Sequence, residues 1–180
     1  MSEHNSDAYK AWGSAVGDLA EKVNLPQRLL RFGITPLTRD NLRLVRPILH
    51  QHLNGITGRF YDFVQRFPEG KAILAKHDTV KLRHRQQSHW DMVFDCRFDH
   101  EYLVNALGIG HAHYRAKVPP PLYMAGYNFF LGDLLRLVAT EYKGSDMAAA
   151  ASSITRVVNL DMSLALTAFM VDSLLGGEAT

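Results

Sequence analysis

Hydrophobic residues recur at about every third or fourth position along most of the chain, the spacing that places them on one face of a helix. No stretch of useful length alternates in the manner of a β-strand, and the sequence has neither a repeat nor an Asn-Gly hairpin signal. The pattern therefore predicts an all-α protein. Its predicted helices cover residues 7–24, a segment that Thr38 caps, and then 54–67, 68–74, 78–95, 99–117, 120–142 and 146–175.

Prolines and glycines set the predicted breaks between these helices. Pro26 and the segment from Gly33 to Pro36 separate the first helix from the rest of the chain. Pro47 lies inside the pattern of the Thr38 helix and should bend that helix or shift its start. We therefore expect a tail and accessory helix over residues 1–24 and the main domain over residues 25–180.

Composition limits the classes of function. With 180 residues and 47% apolar residues, the chain fits one domain with a substantial core. The net charge is +2 and the basic residues are dispersed, which argues against a nucleic-acid partner. The single cysteine, Cys96, excludes an internal disulfide and fits a reducing compartment. No apolar run reaches the length of a membrane span, and the N-terminus lacks a signal-peptide core, so we expect a cytoplasmic protein without a membrane partner.

The segment from Ile109 to Tyr127 carries the candidate chemistry. It contains two histidines, His111 and His113, which point in nearly opposite directions on a helix. His113 continues the face of Tyr102 and Ile109, so it should point inward, and Gly110 should leave room for a flat group to approach that face. From spacing alone, a buried histidine hydrogen-bonded to a carbonyl is the commoner outcome.

The last predicted helix is apolar over more of its circumference than one buried face needs. A small domain can cover only one side of such a helix. Pairing of the last two helices with those of a second copy, as a four-helix bundle, would cover the other side. We therefore predict a homodimer.

The chain resembles the globin-coupled sensors and the related protoglobins over about residues 25–175. The resemblance rests on the Phe60-Tyr61 pair, on His89-Trp90, and above all on the motif I-G-x-x-H-x-R-x-x-V-P-P-x-x-Y-M-A-G-Y from Ile109 to Tyr127. It implies a globin fold with an added N-terminal helix, no separate D helix and a haem b cofactor.

The resemblance also implies roles for particular residues. His113 matches the proximal haem ligand, Tyr61 the tyrosine that hydrogen-bonds the distal gas ligand, and Leu82 a residue that overhangs the iron. Phe60, Ile109 and Tyr127 are the further residues expected at the cofactor, which Phe63 and Phe67 would help to keep dry.

The resulting hypothesis is an oxygen sensor domain without enzymatic activity, which also accepts carbon monoxide, nitric oxide or cyanide. The ligand state would pass through the dimer to an output module such as a diguanylate cyclase. The sequence ends just past the last helix, at G-G-E-A-T, which fits an excised sensor domain better than a stand-alone globin. Two alternatives stay open: a single-domain globin that binds or converts oxygen or nitric oxide, and a haem-free helical dimerisation module.

Overall fold

Helices account for nearly all of the computed structural model, which describes residues 13–177, with side chains up to residue 172. Within that range the chain has no strand, so the predicted all-α class is confirmed there. Residues 1–12 of the predicted tail and accessory helix lie outside the described residues. The helices are α1 (Ser14–Lys22), α2 (Leu25–Arg31), α3 (Pro36–Val64), α4 (Pro68–Leu74), α5 (Thr79–Phe94), α6 (His100–Arg115), α7 (Pro120–Glu141) and α8 (Gly144–Gly177).

Helix α2 lies in a segment that the sequence pattern assigned to a break. The Asn24 side chain accepts a hydrogen bond of 3.0 Å from the backbone N–H of Gln27 and so caps the helix. Pro26 falls in the first turn, where its missing N–H is not needed. Arg28 then holds α2 against α8 by donating to the hydroxyl of Ser163 at 3.2 Å.

Helix α3 begins earlier than predicted, because Thr35 rather than Thr38 is its cap. The Thr35 hydroxyl accepts from the Thr38 backbone N–H at 3.2 Å, and the Thr38 hydroxyl accepts from the Thr35 backbone N–H at 3.3 Å. This reciprocal pair is a capping box in which a threonine takes the place of the usual glutamate or glutamine. The prediction that Thr38 caps the helix is therefore wrong.

Pro47 lies inside α3 without ending it, and the helix predicted over residues 54–67 is the second half of α3. A proline inside a helix costs about 3 kcal/mol. Each fully buried aliphatic side chain contributes about 1.5–3 kcal/mol. Core residues on both sides of Pro47 therefore outweigh the local penalty; they are Leu42, Val45, Leu49, Leu53 and Ile56.

Helix α8 is packed against α3, α6 and α7 and supplies much of the core. It meets α6 at Gly110, where the two helix backbones are in contact. A Cβ atom added to Gly110 would lie 1.8 Å from the carbonyl oxygen of Ala165. The expectation that Gly110 leaves room for a flat group is therefore wrong, since the glycine allows two helix backbones to touch.

Two further features bear on the sequence predictions. No helix lies between α4 and α5, which residues 75–78 link directly, as the predicted lack of a separate D helix requires. Contrary to the reading of the apolar runs, α8 is long and apolar enough over Gly144–Asp172 to cross a membrane by length and composition. Half of the most apolar 18-residue window of this helix is buried within the fold.

Candidate functional site

His113 lies in the last turn of α6, and its two ring nitrogens have different surroundings. Nδ1 lies 2.8 Å from the carbonyl oxygen of Ile109, so this nitrogen carries the hydrogen and donates it. Nε2 has no hydrogen-bond partner among the described residues. Burial lowers the pKa of His113, although the hydrogen bond to Ile109 opposes that shift. The neutral imidazole therefore presents an unshared electron pair at Nε2, the form that binds a metal.

The turn that follows α6 fixes the backbone of His113. The Val118 N–H donates to the His113 carbonyl at 3.0 Å, and the Lys117 N–H donates to the Tyr114 carbonyl at 2.9 Å. With Lys117 at a φ of 57°, this is a Schellman motif, which ends the helix before the prolines are reached. From α7, the Tyr123 ring packs on the imidazole with ring centroids 4.7 Å apart. The turn thus fixes the backbone of His113, and the Tyr123 ring contacts its side chain.

Tyr61 lies on α3 and is 5% exposed. Its ring meets the ring of Phe60 edge-on at 5.4 Å, and the guanidinium carbon of Arg83 lies 5.2 Å from the centre of the Tyr61 ring. Burial raises the pKa of Tyr61 to about 12, against the opposing charge of Arg83. No described residue accepts a hydrogen bond from the hydroxyl. The phenol therefore keeps its proton at neutral pH and can donate it to a ligand.

A continuous series of ring contacts runs from Tyr61 to His113 and joins α3, α5, α6 and α7. Successive ring centroids are 4.3–6.2 Å apart, the spacing of aromatic pairs in contact. Two residues predicted at the cofactor, Phe60 and Tyr127, belong to it. In order the rings are Tyr61, Phe60, Phe130, Trp90, Tyr127, Tyr123 and His113.

The two other predicted residues, Leu82 and Ile109, are half-buried on α5 and α6. One turn after Leu82, the amide oxygen of Gln86 is buried without a hydrogen-bond partner, and so is the Thr57 hydroxyl one turn before Tyr61. Such atoms are uncommon in folded proteins. Both atoms are polar groups on α3 and α5 that no described residue satisfies.

Phe63 and Phe67, expected to keep the cofactor dry, belong to a second set of ring contacts. Phe63 stacks on Phe129 of α7 with centroids 4.6 Å apart, and Phe67 meets Phe63 edge-on at 5.1 Å. Both residues are half-buried. Their visible contribution is to hold α3 on α7.

Asp161 of α8 is a candidate that the sequence patterns did not single out. It is 0% exposed and accepts three hydrogen bonds. The donors are the His89 Nε2 at 2.9 Å, the Tyr102 hydroxyl at 3.0 Å and the Tyr127 hydroxyl at 2.8 Å. The available signal was its position as the one acidic residue between positions 154 and 171. An acid in so apolar a stretch must be buried with partners or face outward.

His111 turns away from His113 towards α8. Its Nδ1 lies 2.6 Å from a carboxylate oxygen of Asp172. This contact lies near the last described side chains of α8, so the helix of His113 is tied to that end of α8.

Comparison with solved structures identifies the fold. The chain is similar to the globin domain of the Geobacter sulfurreducens globin-coupled sensor, with a TM-score of 0.75 and 16% sequence identity over 80% of this chain and 96% of that one. The molecule therefore has the globin fold. The Protoglobin family model matches residues 21–173, and the chain belongs to the protoglobin family. Among curated proteins, none matches the sequence.

Membership of this family implies a haem cofactor and a gas ligand. The residues present fit that cofactor. His113 offers a neutral, uncommitted Nε2, and the aromatic series supplies a largely apolar environment. Tyr61 supplies a protonated phenol without another acceptor.

Proposed function

We propose that this chain is a haem-based oxygen-sensing domain in which His113 is the proximal ligand of haem b. The observation that carries the proposal is the hydrogen bond from His113 Nδ1 to the Ile109 carbonyl, because it leaves Nε2 neutral and free in a chain of the protoglobin family. In globins a single imidazole holds the haem, and the opposite face is left for a gas.

When bound, the haem supplies a ferrous iron that takes up diatomic gases. The protein's part on the distal side is a hydrogen bond from the Tyr61 hydroxyl to the gas. Oxygen gains more from this donor than carbon monoxide does, because bound oxygen carries more negative charge. Leu82 and Phe60 would limit the entry of water. Carbon monoxide, nitric oxide and cyanide are the other ligands we expect.

We further propose that the domain works as a cytoplasmic homodimer, paired through α7 and α8. Apolar side chains on these helices stay outside the core of one chain. Met170 is 62% exposed and Met124 is 49% exposed, while Met162 and Leu166 are half-buried. A second copy of the chain would cover these exposed apolar groups. The molecular mass in sedimentation equilibrium tests this pairing.

The ligand state would then reach an output module linked to α8, such as a diguanylate cyclase, and the domain itself would catalyse no reaction. Transmission needs a gas to favour one of two dimer packings by roughly 1–3 kcal/mol. The similarity to the globin domain of a globin-coupled sensor supports this role. The alternative of a stand-alone globin predicts turnover of nitric oxide by the purified chain with added reductant.

The visible spectrum of the purified protein, ferrous with and without oxygen, tests the proposal. The wild type should show a Soret band that oxygen shifts reversibly. His113→Ala should lose that band or its five-coordinate ferrous form, because no imidazole replaces the ligand. His84→Ala, on the exposed side of α5, is the matched control and should behave as the wild type. A wild type without Soret absorption after haem addition, or an unchanged His113→Ala spectrum, would contradict the proposal.

A further inference from the structure

The carboxylate of Asp161 is buried at a junction of four helices. It lies on α8, and its three donors come from α5 (His89), α6 (Tyr102) and α7 (Tyr127). Removing a carboxylate from water costs several kcal/mol, which hydrogen bonds from well-placed donors must offset. The position of this buried carboxylate therefore depends on all three donors, which come from three other helices.

The hydrogen bonds around Asp161 have a fixed direction. The carboxylate can only accept, so the Tyr127 hydroxyl must donate to it. The Tyr127 oxygen is then left to accept from the Tyr123 hydroxyl, which lies 3.3 Å away. The carboxylate of Asp161 thus sets the donor and acceptor roles of the Tyr127 hydroxyl and, through it, those of the Tyr123 hydroxyl.

The outer end of this chain reaches the imidazole of His113. The Tyr123 ring is 6% exposed and packs on the His113 ring at 4.7 Å with an angle of 59° between their planes. The Ile109 carbonyl fixes the imidazole at Nδ1, but a single hydrogen bond still allows the ring to tilt about it. The Tyr123 ring blocks that tilt on one side.

We propose that Asp161 is a positioning residue for the proximal imidazole, acting through Tyr127 and Tyr123 to fix the orientation of the His113 ring. The inference rests on the proposed role of His113 as haem ligand. Residues that orient a metal ligand directly change affinity or activity by about 10- to 100-fold when they are lost. Asp161 acts through two intermediate groups, so we expect a smaller effect: a shift in the iron–histidine stretching frequency without loss of the haem.

Asp161→Asn is the informative substitution because it keeps the shape of the side chain. An amide has one accepting oxygen, and its nitrogen cannot accept. At least one of the three donors therefore loses its acceptor. Tyr127→Phe removes only the middle hydroxyl of the chain, and its aromatic contacts are retained. Asp133→Asn is the matched control: Asp133 is also buried, at 5% exposed, but its partners are Arg59 and Arg136.

The readout is the iron–histidine stretching frequency of the ferrous, gas-free haem protein in resonance Raman spectra. Asp161→Asn and Tyr127→Phe should shift this frequency in the same direction, and the double variant should show less than the sum of both shifts, since they break one chain. Asp133→Asn should leave it unchanged. An unchanged frequency in Tyr127→Phe overturns the inference, even where Asp161→Asn does not fold. A wild type without any iron–histidine band refutes instead the role of His113.

Discussion

Removing the hydroxyl of Tyr61 tests the distal half of the site with the least disturbance to the fold. Tyr61→Phe keeps the ring, which meets Phe60 edge-on and carries the Arg83 guanidinium over its face. No described residue accepts a hydrogen bond from the Tyr61 hydroxyl, so the substitution leaves no protein acceptor without its donor. What it removes is the hydrogen bond proposed to form with the gas.

The size of the effect follows from the state of the phenol. A pKa of about 12 keeps the hydroxyl protonated at neutral pH, so the donor is present in nearly every molecule. A hydrogen bond to a charged acceptor is worth about 1.5–3 kcal/mol, and about 1.4 kcal/mol corresponds to a tenfold change. Tyr61→Phe should therefore speed oxygen dissociation by about 10- to 150-fold. Carbon monoxide, a weaker acceptor, should dissociate less than about threefold faster.

Stopped-flow mixing with a ligand trap measures both dissociation rates on the same preparations. Tyr142→Phe, at the end of α7 and with its hydroxyl 3.4 Å from the Leu44 carbonyl, is the control for loss of a phenol elsewhere. Equal acceleration of both gases would mean that Tyr61 shapes the pocket without donating to oxygen. No acceleration of either gas would remove Tyr61 from the site.

Two further predictions concern stability. Gly110→Ala should lower the free energy of unfolding in urea by about 3 kcal/mol or more, because the new methyl group would lie 1.8 Å from the carbonyl oxygen of Ala165. The control Gly58→Ala, on α3 with open space around it, should raise the free energy of unfolding by about 0.5–1 kcal/mol. A Gly110→Ala protein as stable as the wild type would contradict the close approach of α6 and α8. The raised pKa of Tyr61 means that the folded chain keeps a proton that the unfolded chain releases above the ordinary tyrosine pKa of 10.0, so stability should fall as pH rises from 10.0 to about 12. Over that pH range, the free energy of unfolding of the wild type should fall more than that of Tyr61→Phe, by a difference of at most about 2–3 kcal/mol. Identical pH profiles of urea unfolding for the two proteins would contradict the raised pKa of Tyr61.

The hydrophobic pattern predicted most helices but not how they join. Helices α5, α6 and α7 end close to their predicted bounds because aspartate caps and prolines mark them in the sequence. Pro26 and Pro47 lie within helices for different reasons. Pro26 starts a helix, since a first turn tolerates it, and Pro47 stays within α3, since tertiary packing on both sides outweighs its local cost.

In the site as well, some residues could be predicted from the local sequence, and others depend on contacts between distant parts of the chain. His113 and Tyr61 could be proposed from a motif because each role depends on one residue type in a fixed place. Gly110 depends on α8, and Asp161 depends on donors from α5, α6 and α7, so both depend on partners that lie dozens of residues away in sequence. A glycine beside a histidine gives no sign of whether a cofactor or another backbone approaches it. Only the packed fold separates these two cases.

Helix α6 is tied to α8 at several points along its length, which bears on how ligand state would leave the site. One contact is backbone against backbone, one is a contact of hydrogen-bond length between an imidazole and a carboxylate, and one is a hydrogen bond to a buried carboxylate. Packed interiors resist compression, so a displacement of His113 cannot be absorbed between the two helices. The arrangement therefore favours a joint movement of α6 and α8, and it disfavours a bend within α6. The moving helix α8 is also one of the two helices proposed to pair in the dimer. The three contacts are Gly110 with Ala165, His111 with Asp172, and Tyr102 with Asp161.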